Sequence, residues 1–200
     1  MRSALLVMLV AALLPLTACN QGDLPGPAKI DVDTPELRLM KKSAGVEDCV
    51  PGSAGPVDGG LPHLTLPCLG GGPDVDTSTL RGPMVVNVWA SWCGPCRTEL
   101  PIYQHFYEQY GDQVAVLGID WQDPQPKAAL ELAASSGVTY PLLADPQDDL
   151  SGAAPLPNLR GLPFVAFVDA DGKVVHQEFV AITSEKQLVD LVAKNLRVAL

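Results

Sequence analysis

Two cysteines separated by two residues, Cys93 and Cys96, have the clearest chemical potential in the sequence. They lie in the run Trp-Cys-Gly-Pro-Cys, directly after an apolar, β-branched run over residues 84–90 that is typical of a strand buried on both faces. Proline is tolerated in the first turn of a helix. The pair is therefore predicted to lie where this strand ends and a helix begins.

Thiols at this position can exchange disulfides. Two cysteines at this spacing can close a small disulfide ring, and the free backbone N–H groups at a helix N-terminus stabilise a thiolate on the first of them. We predict that Cys93 is the nucleophile and that Cys96, further inside the helix, resolves the mixed disulfide. A zinc site or an inert structural bridge are the alternatives. Because no second Cys-x-x-Cys and no His-x-x-x-His follows, we predict no metal site and no cofactor.

The elements around this pair alternate between strands and helices. Residues 64–66 are predicted to form a short edge strand that pairs with residues 75–81, before the main order β-α-β-α-β-β-α begins. Helix connections between early strands require parallel pairing, whereas a tight turn at residues 169–172 makes the last pair antiparallel. The predicted elements of the main order are a strand at 84–90, a helix at 94–110, a strand at 114–120, a helix at 126–136, strands at 164–168 and 173–180, and a helix at 184–197.

The N-terminus is predicted to be a targeting segment. Residues 1–18 have one early arginine, an apolar run and small residues before Cys19, as in a secretion signal. Residues 16–19, Leu-Thr-Ala-Cys, resemble the bacterial lipobox, which implies that Cys19 is lipidated and becomes the new N-terminus. Ordinary secretory cleavage is the alternative. Residues 19–60 are predicted to be a flexible tether, and residues 61–200 a folded domain.

Cys49 and Cys68 are the remaining cysteines. In an exported protein, two cysteines separated by nineteen positions are expected to form a structural disulfide, and neither precedes a helix start that would activate it. The alternative is a second redox pair that passes electrons to Cys93.

The segment Val-Val-Asn-Val-Trp-Ala-Ser-Trp-Cys-Gly-Pro-Cys resembles the active-site segment of the thioredoxin fold. The following Arg-Thr-Glu-Leu-Pro resembles, more narrowly, the TlpA/ResA-like membrane-anchored thiol:disulfide oxidoreductases, and a second similarity lies in Gly-Leu-Pro-Phe at 161–164. The resemblance implies a thioredoxin-like three-layer α/β/α fold with a mixed central sheet and a short N-terminal strand extension.

The resemblance, and for Trp92 the position next to Cys93, imply roles for four further residues. Pro163 would follow a cis peptide bond and face the disulfide, so that the backbone of Leu162 can pair with an extended substrate. Trp92 would offer an apolar docking surface. Glu99 would take the proton of Cys96, since Asn87 replaces the buried aspartate of thioredoxin and cannot transfer a proton. A solvated position on the helix surface is the alternative for Glu99.

The predicted function is extracytoplasmic thiol-disulfide exchange by a lipid-anchored protein at the cell membrane. The resemblance implies reduction of exported partner proteins with cysteines or disulfides, for instance apocytochrome c, with electrons from a membrane donor. Disulfide oxidation, a thiol peroxidase and a copper-binding protein are the alternatives, although Ala90 stands where peroxiredoxins have threonine. A net charge of −10 argues against a nucleic-acid partner, which needs a basic surface.

Overall fold

A computed structural model describes residues 29–200. The predicted signal peptide and Cys19 lie outside the described residues. The described part of the chain contains four α-helices, α1 (Pro35–Ala44), α2 (Gly94–Tyr110), α3 (Pro126–Ser135) and α4 (Glu185–Leu196). The same residues contain seven strands, β1 (Thr65–Leu66), β2 (Val75–Asp76), β3 (Met84–Trp89), β4 (Ala115–Trp121), β5 (Leu142–Asp145), β6 (Phe164–Val168) and β7 (Val174–Glu178). Within residues 29–200, none of the helices is long and apolar enough to cross a bilayer.

The central sheet has five strands in the order β5-β4-β3-β6-β7. Strand β3 pairs in parallel with β4 and antiparallel with β6, and all six of its residues are buried, as its continuous apolar sequence predicts. The pairs β4-β5 and β6-β7 are parallel and antiparallel, respectively. The predicted thioredoxin-like fold with a mixed central sheet is confirmed. Strands β1 and β2 form the predicted N-terminal extension as a separate antiparallel pair.

The two faces of the sheet are covered differently. One core contains the buried apolar side chains of all four helices together with Val85 and Trp89 of β3. Right-handed crossovers from β3 to β4 and onward to β5 place α2 and α3 on this same face. The other core, with Val86 and Val88 of β3, is filled by β1, β2 and the segment 143–159. None of the α-helices within residues 29–200 contributes a buried side chain to this second core, a feature that the sequence did not indicate.

The predicted flexible tether is wrong for much of its length. Thr34 caps α1 by accepting a hydrogen bond from the backbone N–H of Leu37, and Gly45 ends the helix with a left-handed backbone at φ 74°. The buried side chains of Leu37 and Val46 join the helical core. Pro35 and Gly45 stand at the two ends of α1, and Glu36, Arg38 and Lys42 lie on its exposed face, so this part of the segment belongs to the fold.

The sequence analysis also missed β5. This four-residue strand follows α3 and extends the parallel part of the sheet. Its outer edge is covered by the chain around Cys68, which bridges to Leu143, while Leu69 N–H donates to the carbonyl of Leu142 at 2.9 Å. A disulfide joins Cys68 to Cys49. A strand as short as β5 has too few residues for its alternation to be recognised in a single sequence.

Candidate active site

The junction between β3 and α2 holds the Cys93–Cys96 disulfide. Cys93 is the N-cap residue of α2, and its Sγ accepts a hydrogen bond from the backbone N–H of Cys96 at 3.2 Å. Pro95 stands in the first turn, where its missing N–H has no cost. Cys93 is 4% exposed and Cys96 is 0% exposed, so Cys93 is the sulfur nearer to solvent. The N–H contact and the helix N-terminus both favour negative charge on Cys93.

Ser91, two residues before Cys93, is held through both of its backbone groups. Its N–H donates to Oδ2 of Asp123 at 2.7 Å, and its carbonyl accepts from Nη2 of Arg97 at 2.7 Å. Asp123 also accepts from the N–H of Gln125 through Oδ1 at 2.9 Å. These contacts connect the loop of the redox pair to the first turn of α2 and to the chain after β4.

Asp123 has a buried acidic neighbour, Asp120, at the end of β4. Burial raises the pKa of Asp120 well above its usual range, and the carboxylate of Asp123 raises it further. Neither aspartate was assigned a role from the sequence. An acidic residue at the carboxyl end of an apolar parallel strand is the sequence feature that could have indicated Asp120 as a site residue.

Trp92 stands on the surface beside the disulfide. Its side chain is 47% exposed, although its Nε1 donates to the carbonyl of Gln122 at 3.1 Å, and its ring centroid lies 6.4 Å from that of Trp121. The indole is thus fixed by a hydrogen bond while one side stays open to solvent. Such a rigid, amphipathic aromatic group is suited to contact another protein.

The Leu162-Pro163 peptide bond is cis, and Pro163 is buried. Strand β6 begins directly after it, and Phe164 pairs with Val88 of β3. Continuing this antiparallel register by one residue places Pro163 opposite Trp89, four residues before Cys93. The segment 160–163 lines a shallow cleft with residues 179–181, and Phe179 is 49% exposed.

Glu99 is completely buried, so its alternative as a solvated helix residue is wrong. It follows Cys96 by three residues and therefore lies on the same side of α2. Its Oε2 accepts from the backbone N–H of Ile182 at 3.1 Å, whereas its Oε1 has no hydrogen-bond partner in the described protein. Burial raises the pKa of Glu99 to about 8, and the hydrogen bond from Ile182 opposes this shift.

Other polar groups lie in the same core. Burial raises the pKa of Tyr103 and of Tyr140, and the charge of Glu99 raises both further. Asn87, at the centre of β3, is fully buried as well. Glu99 is therefore a buried carboxyl group with other buried polar side chains nearby.

Within residues 29–200, His, Cys, Asp and Glu side chains form no group of three or more that could hold a metal ion. The family model described as Redoxin matches residues 56–192. The chain belongs to the Redoxin family. This redoxin is 33% identical over 126 residues to the thiol:disulfide interchange protein DsbE of Pseudomonas fluorescens biotype C, an alignment that covers 62% of this chain and 67% of DsbE.

A second relative is the thiol-disulfide oxidoreductase ResA of Geobacillus kaustophilus. It is 34% identical over 100 residues, which cover 48% of this redoxin and 55% of ResA. Among solved structures, MTB DsbF is similar with a TM-score of 0.59 and 26% identity, covering 69% of this chain and 98% of DsbF. A thioredoxin-like protein from Porphyromonas gingivalis has a TM-score of 0.55 at 26% identity, covering 68% and 92% of the two chains. This redoxin is a thioredoxin-fold thiol:disulfide oxidoreductase of the DsbE/ResA type.

Proposed function

We propose that this protein reduces disulfides of exported partner proteins through Cys93 and Cys96. The observation that carries the proposal is the Cys93–Cys96 disulfide at the N-terminus of α2, with the more exposed sulfur at the N-cap. In the reduced protein, the Cys93 thiolate attacks a partner disulfide and forms a mixed disulfide, and one partner sulfur leaves as a thiolate. Cys96 then attacks Sγ of Cys93, which releases the second partner sulfur and restores the Cys93–Cys96 disulfide. Two electrons pass to the partner.

Glu99 exchanges a proton with Cys96 in this cycle. With a pKa of about 8 in the disulfide state, its carboxyl group holds a proton at neutral pH. When a donor opens the Cys93–Cys96 disulfide, Glu99 gives this proton to the departing Cys96 sulfur. When Cys96 later attacks the mixed disulfide, the Glu99 carboxylate takes the proton back. The buried and unpartnered Oε1 supports this role, because a proton acceptor must have a free lone pair.

The partner docks over Trp92 and the segment that precedes β6. An extended partner segment pairs with the backbone of Leu162, beside the buried Pro163, and its apolar side chains contact Trp92. The exposed indole and the shallow cleft at residues 160–163 support this arrangement. Apocytochrome c before haem attachment is a partner of suitable chemistry, since it presents a pair of cysteines.

The protein acts outside the cytoplasm, anchored to the cell membrane by lipid on Cys19, and receives electrons from a membrane donor. The lipobox-like Leu-Thr-Ala-Cys sequence after an apolar run supports the anchor. Metabolic labelling with a palmitate analogue tests it. We expect label on the parent chain and none on Cys19→Ser, with release of that variant from the membrane fraction.

The direction of electron flow is tested by the equilibrium of Cys93–Cys96 with glutathione. A reductase needs a potential near that of thioredoxin, ~−270 mV, whereas a strong oxidant such as DsbA has ~−120 mV. We expect a potential near that of thioredoxin. A potential near that of DsbA would instead make the protein a disulfide oxidant. The Cys96→Ser variant, which cannot resolve, traps partners on Cys93, and peptide mass spectrometry of the trapped complexes identifies them.

A further inference from the structure

The second disulfide, Cys49–Cys68, is in contact with a buried ammonium group. Lys41, in the last turn of α1, is 4% exposed, and its Nζ lies 3.2 Å from Sγ of Cys68. The same Nζ donates to the carbonyl oxygen of Gly71 at 2.8 Å and to Oδ1 of Asp48 at 2.9 Å. Among these three acceptors the disulfide sulfur is the weakest, because it is neutral and a poor hydrogen-bond acceptor.

The surroundings of the two sulfurs are better matched to their reduced forms. A buried charge is costly unless it is paired, so the ammonium of Lys41 interacts more favourably with Cys68 when that sulfur is a thiolate. Sγ of Cys49 lies 3.2 Å from the carbonyl oxygen of Leu142, an acceptor to which a thiol can donate. Each sulfur of the reduced pair therefore has a partner in place.

A cavity reaches this disulfide from the Cys49 side. Its volume is about 200 Å³, and its mainly apolar walls include Cys49, Val75, Met84 and Leu143. A small dithiol in this cavity meets Cys49, which makes Cys68 the leaving group. Because a stabilised thiolate leaves faster, the position of Lys41 beside Cys68 favours this order of attack.

We infer that Cys49–Cys68 is a second redox-active disulfide, reduced by a small dithiol, with Lys41 holding Cys68 as the thiolate. One sulfur of the dithiol bonds to Sγ of Cys49, and the Cys49–Cys68 bond breaks to leave the Cys68 thiolate. The second sulfur of the dithiol then displaces Cys49, which takes up a proton. The dithiol becomes a disulfide, two electrons enter the protein, and one proton passes to solvent.

This site is separate from Cys93–Cys96. Cys93 and Cys96 belong to the core that the helices cover, whereas Cys49 and Cys68 belong to the core on the opposite face of the sheet. The geometry therefore favours an external dithiol as the reductant over electron transfer between this pair and Cys93.

The test measures the two disulfides separately in the same protein. The mature chain is equilibrated with mixtures of reduced and oxidised dithiothreitol between pH 5 and pH 8, quenched with acid and alkylated. Mass spectrometry then quantifies the Cys68 and Cys93 peptides. For Cys49–Cys68, we expect the equilibrium constant of reduction to rise with pH. Lys41→Met should lower it about tenfold at pH 8 and leave it unchanged at pH 5, because acid suppresses the thiolate that Lys41 would stabilise.

The exposed neighbour Lys42 provides the matched control, and Lys42→Met should leave the equilibrium constant unchanged at every pH. An effect of Lys41→Met that is equal at pH 5 and pH 8 would overturn the inference, because it would reflect packing alone. Reduction of Cys68 only when circular dichroism shows unfolding would also overturn it. If Lys41→Met does not fold, the pH dependence of the parent protein is the test. An equilibrium constant for reduction of Cys49–Cys68 that does not change with pH would contradict a Cys68 thiolate. The redox state of the Cys93 peptide in the same samples tests the proposed reductase site independently of Cys49–Cys68.

Discussion

The two disulfides of this protein are equally buried but differ in their electrostatic surroundings. Cys93–Cys96 spans three positions at the N-terminus of α2, where a backbone N–H contacts Sγ of Cys93. Cys49–Cys68 spans nineteen positions and ties the chain after α1 to the edge of β5, where a lysine ammonium contacts Sγ of Cys68. Spacing suggests one catalytic and one structural bridge, whereas both have a positive group beside one sulfur.

Exposure to solvent does not distinguish a reactive disulfide from a structural one in this protein, because all four cysteines are buried. The sulfur that must leave or attack needs a positive partner, and the two sites supply it differently. A helix N-terminus provides partial charges on backbone groups, while Lys41 provides a full charge on a side chain. The remaining difference is access, since Trp92 and the cleft at residues 160–163 border one site and an apolar cavity borders the other.

The largest expected effect separates the two pairs by activity. Cys93→Ser should reduce the rate of insulin disulfide reduction by at least about a thousandfold, because no nucleophile remains at the N-cap. The double variant Cys49→Ala/Cys68→Ala should retain the rate within a few-fold. The turbidity assay with dithiothreitol as donor measures both. Equal losses in the two variants would mean that the pairs act as one electron-transfer chain, contrary to the separation proposed above.

The next effect separates the pairs by stability. Removing Cys49–Cys68 as Cys49→Ala/Cys68→Ala should lower the free energy of unfolding by about 3 kcal/mol, because a loop of this length is no longer closed in the unfolded chain. Cys93→Ala/Cys96→Ala removes a disulfide that closes a much shorter loop, so the variant should lose less unfolding free energy. Urea unfolding of the oxidised proteins measures both. A smaller loss of unfolding free energy for Cys49→Ala/Cys68→Ala than for Cys93→Ala/Cys96→Ala would contradict the larger stabilising effect expected of Cys49–Cys68.

The strand-to-helix junction that holds Cys93 and Cys96 was predictable from the sequence because every local signal agreed. The continuous apolar run of β3, the Gly-Pro dipeptide and the two cysteines indicate a strand, a helix start and a redox ring within a short stretch. The N-cap of α4 was predictable for the same reason, since Ser184 accepts from the N–H of Gln187 as the spacing indicates.

The surroundings of the second pair depend on distant residues and were not predictable in this way. Lys41 lies in a segment whose composition indicated a tether, and only the packing of α1 brings its ammonium to Cys68, 27 positions away. Asp123 likewise binds Ser91 across 32 positions. Such contacts follow from the order of strands in the sheet, and no local propensity or motif carries that information.

A third expected effect concerns Glu99, the proposed proton donor and acceptor beside Cys93 and Cys96. Burial disfavours the ionised form of Glu99, so its pKa of about 8 in the folded state exceeds the ordinary value of 4.5. The folded state therefore binds more protons than the unfolded state between these values, and stability is lost as pH rises through that window. Glu99→Gln removes this loss. We expect the stability of Glu99→Gln relative to the parent to increase by about 2 kcal/mol from pH 5 to pH 7.

Urea unfolding of the oxidised proteins at several pH values measures this difference. Glu131→Gln, at an exposed position on α3, is the control and should follow the parent at every pH. The same Glu99→Gln variant should also exchange more slowly with a partner disulfide, because Cys96 loses its proton acceptor. A constant stability difference between pH 5 and pH 7 would show that Glu99 is ionised in both states, and the proton-exchange role would fail.

The smallest expected effect concerns the contact between Asp123 and Ser91, in the loop that leads to Cys93. Asp123 accepts backbone N–H groups from Ser91 and Gln125, and an asparagine has one side-chain oxygen in place of two. Asp123→Asn should therefore cost about 1 kcal/mol in unfolding free energy and slow exchange at Cys93 a few-fold, with no change at Cys68. The exposed Asp112→Asn serves as control. Equal changes at Cys93 and Cys68 would indicate general loosening of the fold, since the contact of Asp123 with Ser91 holds the loop that leads to Cys93.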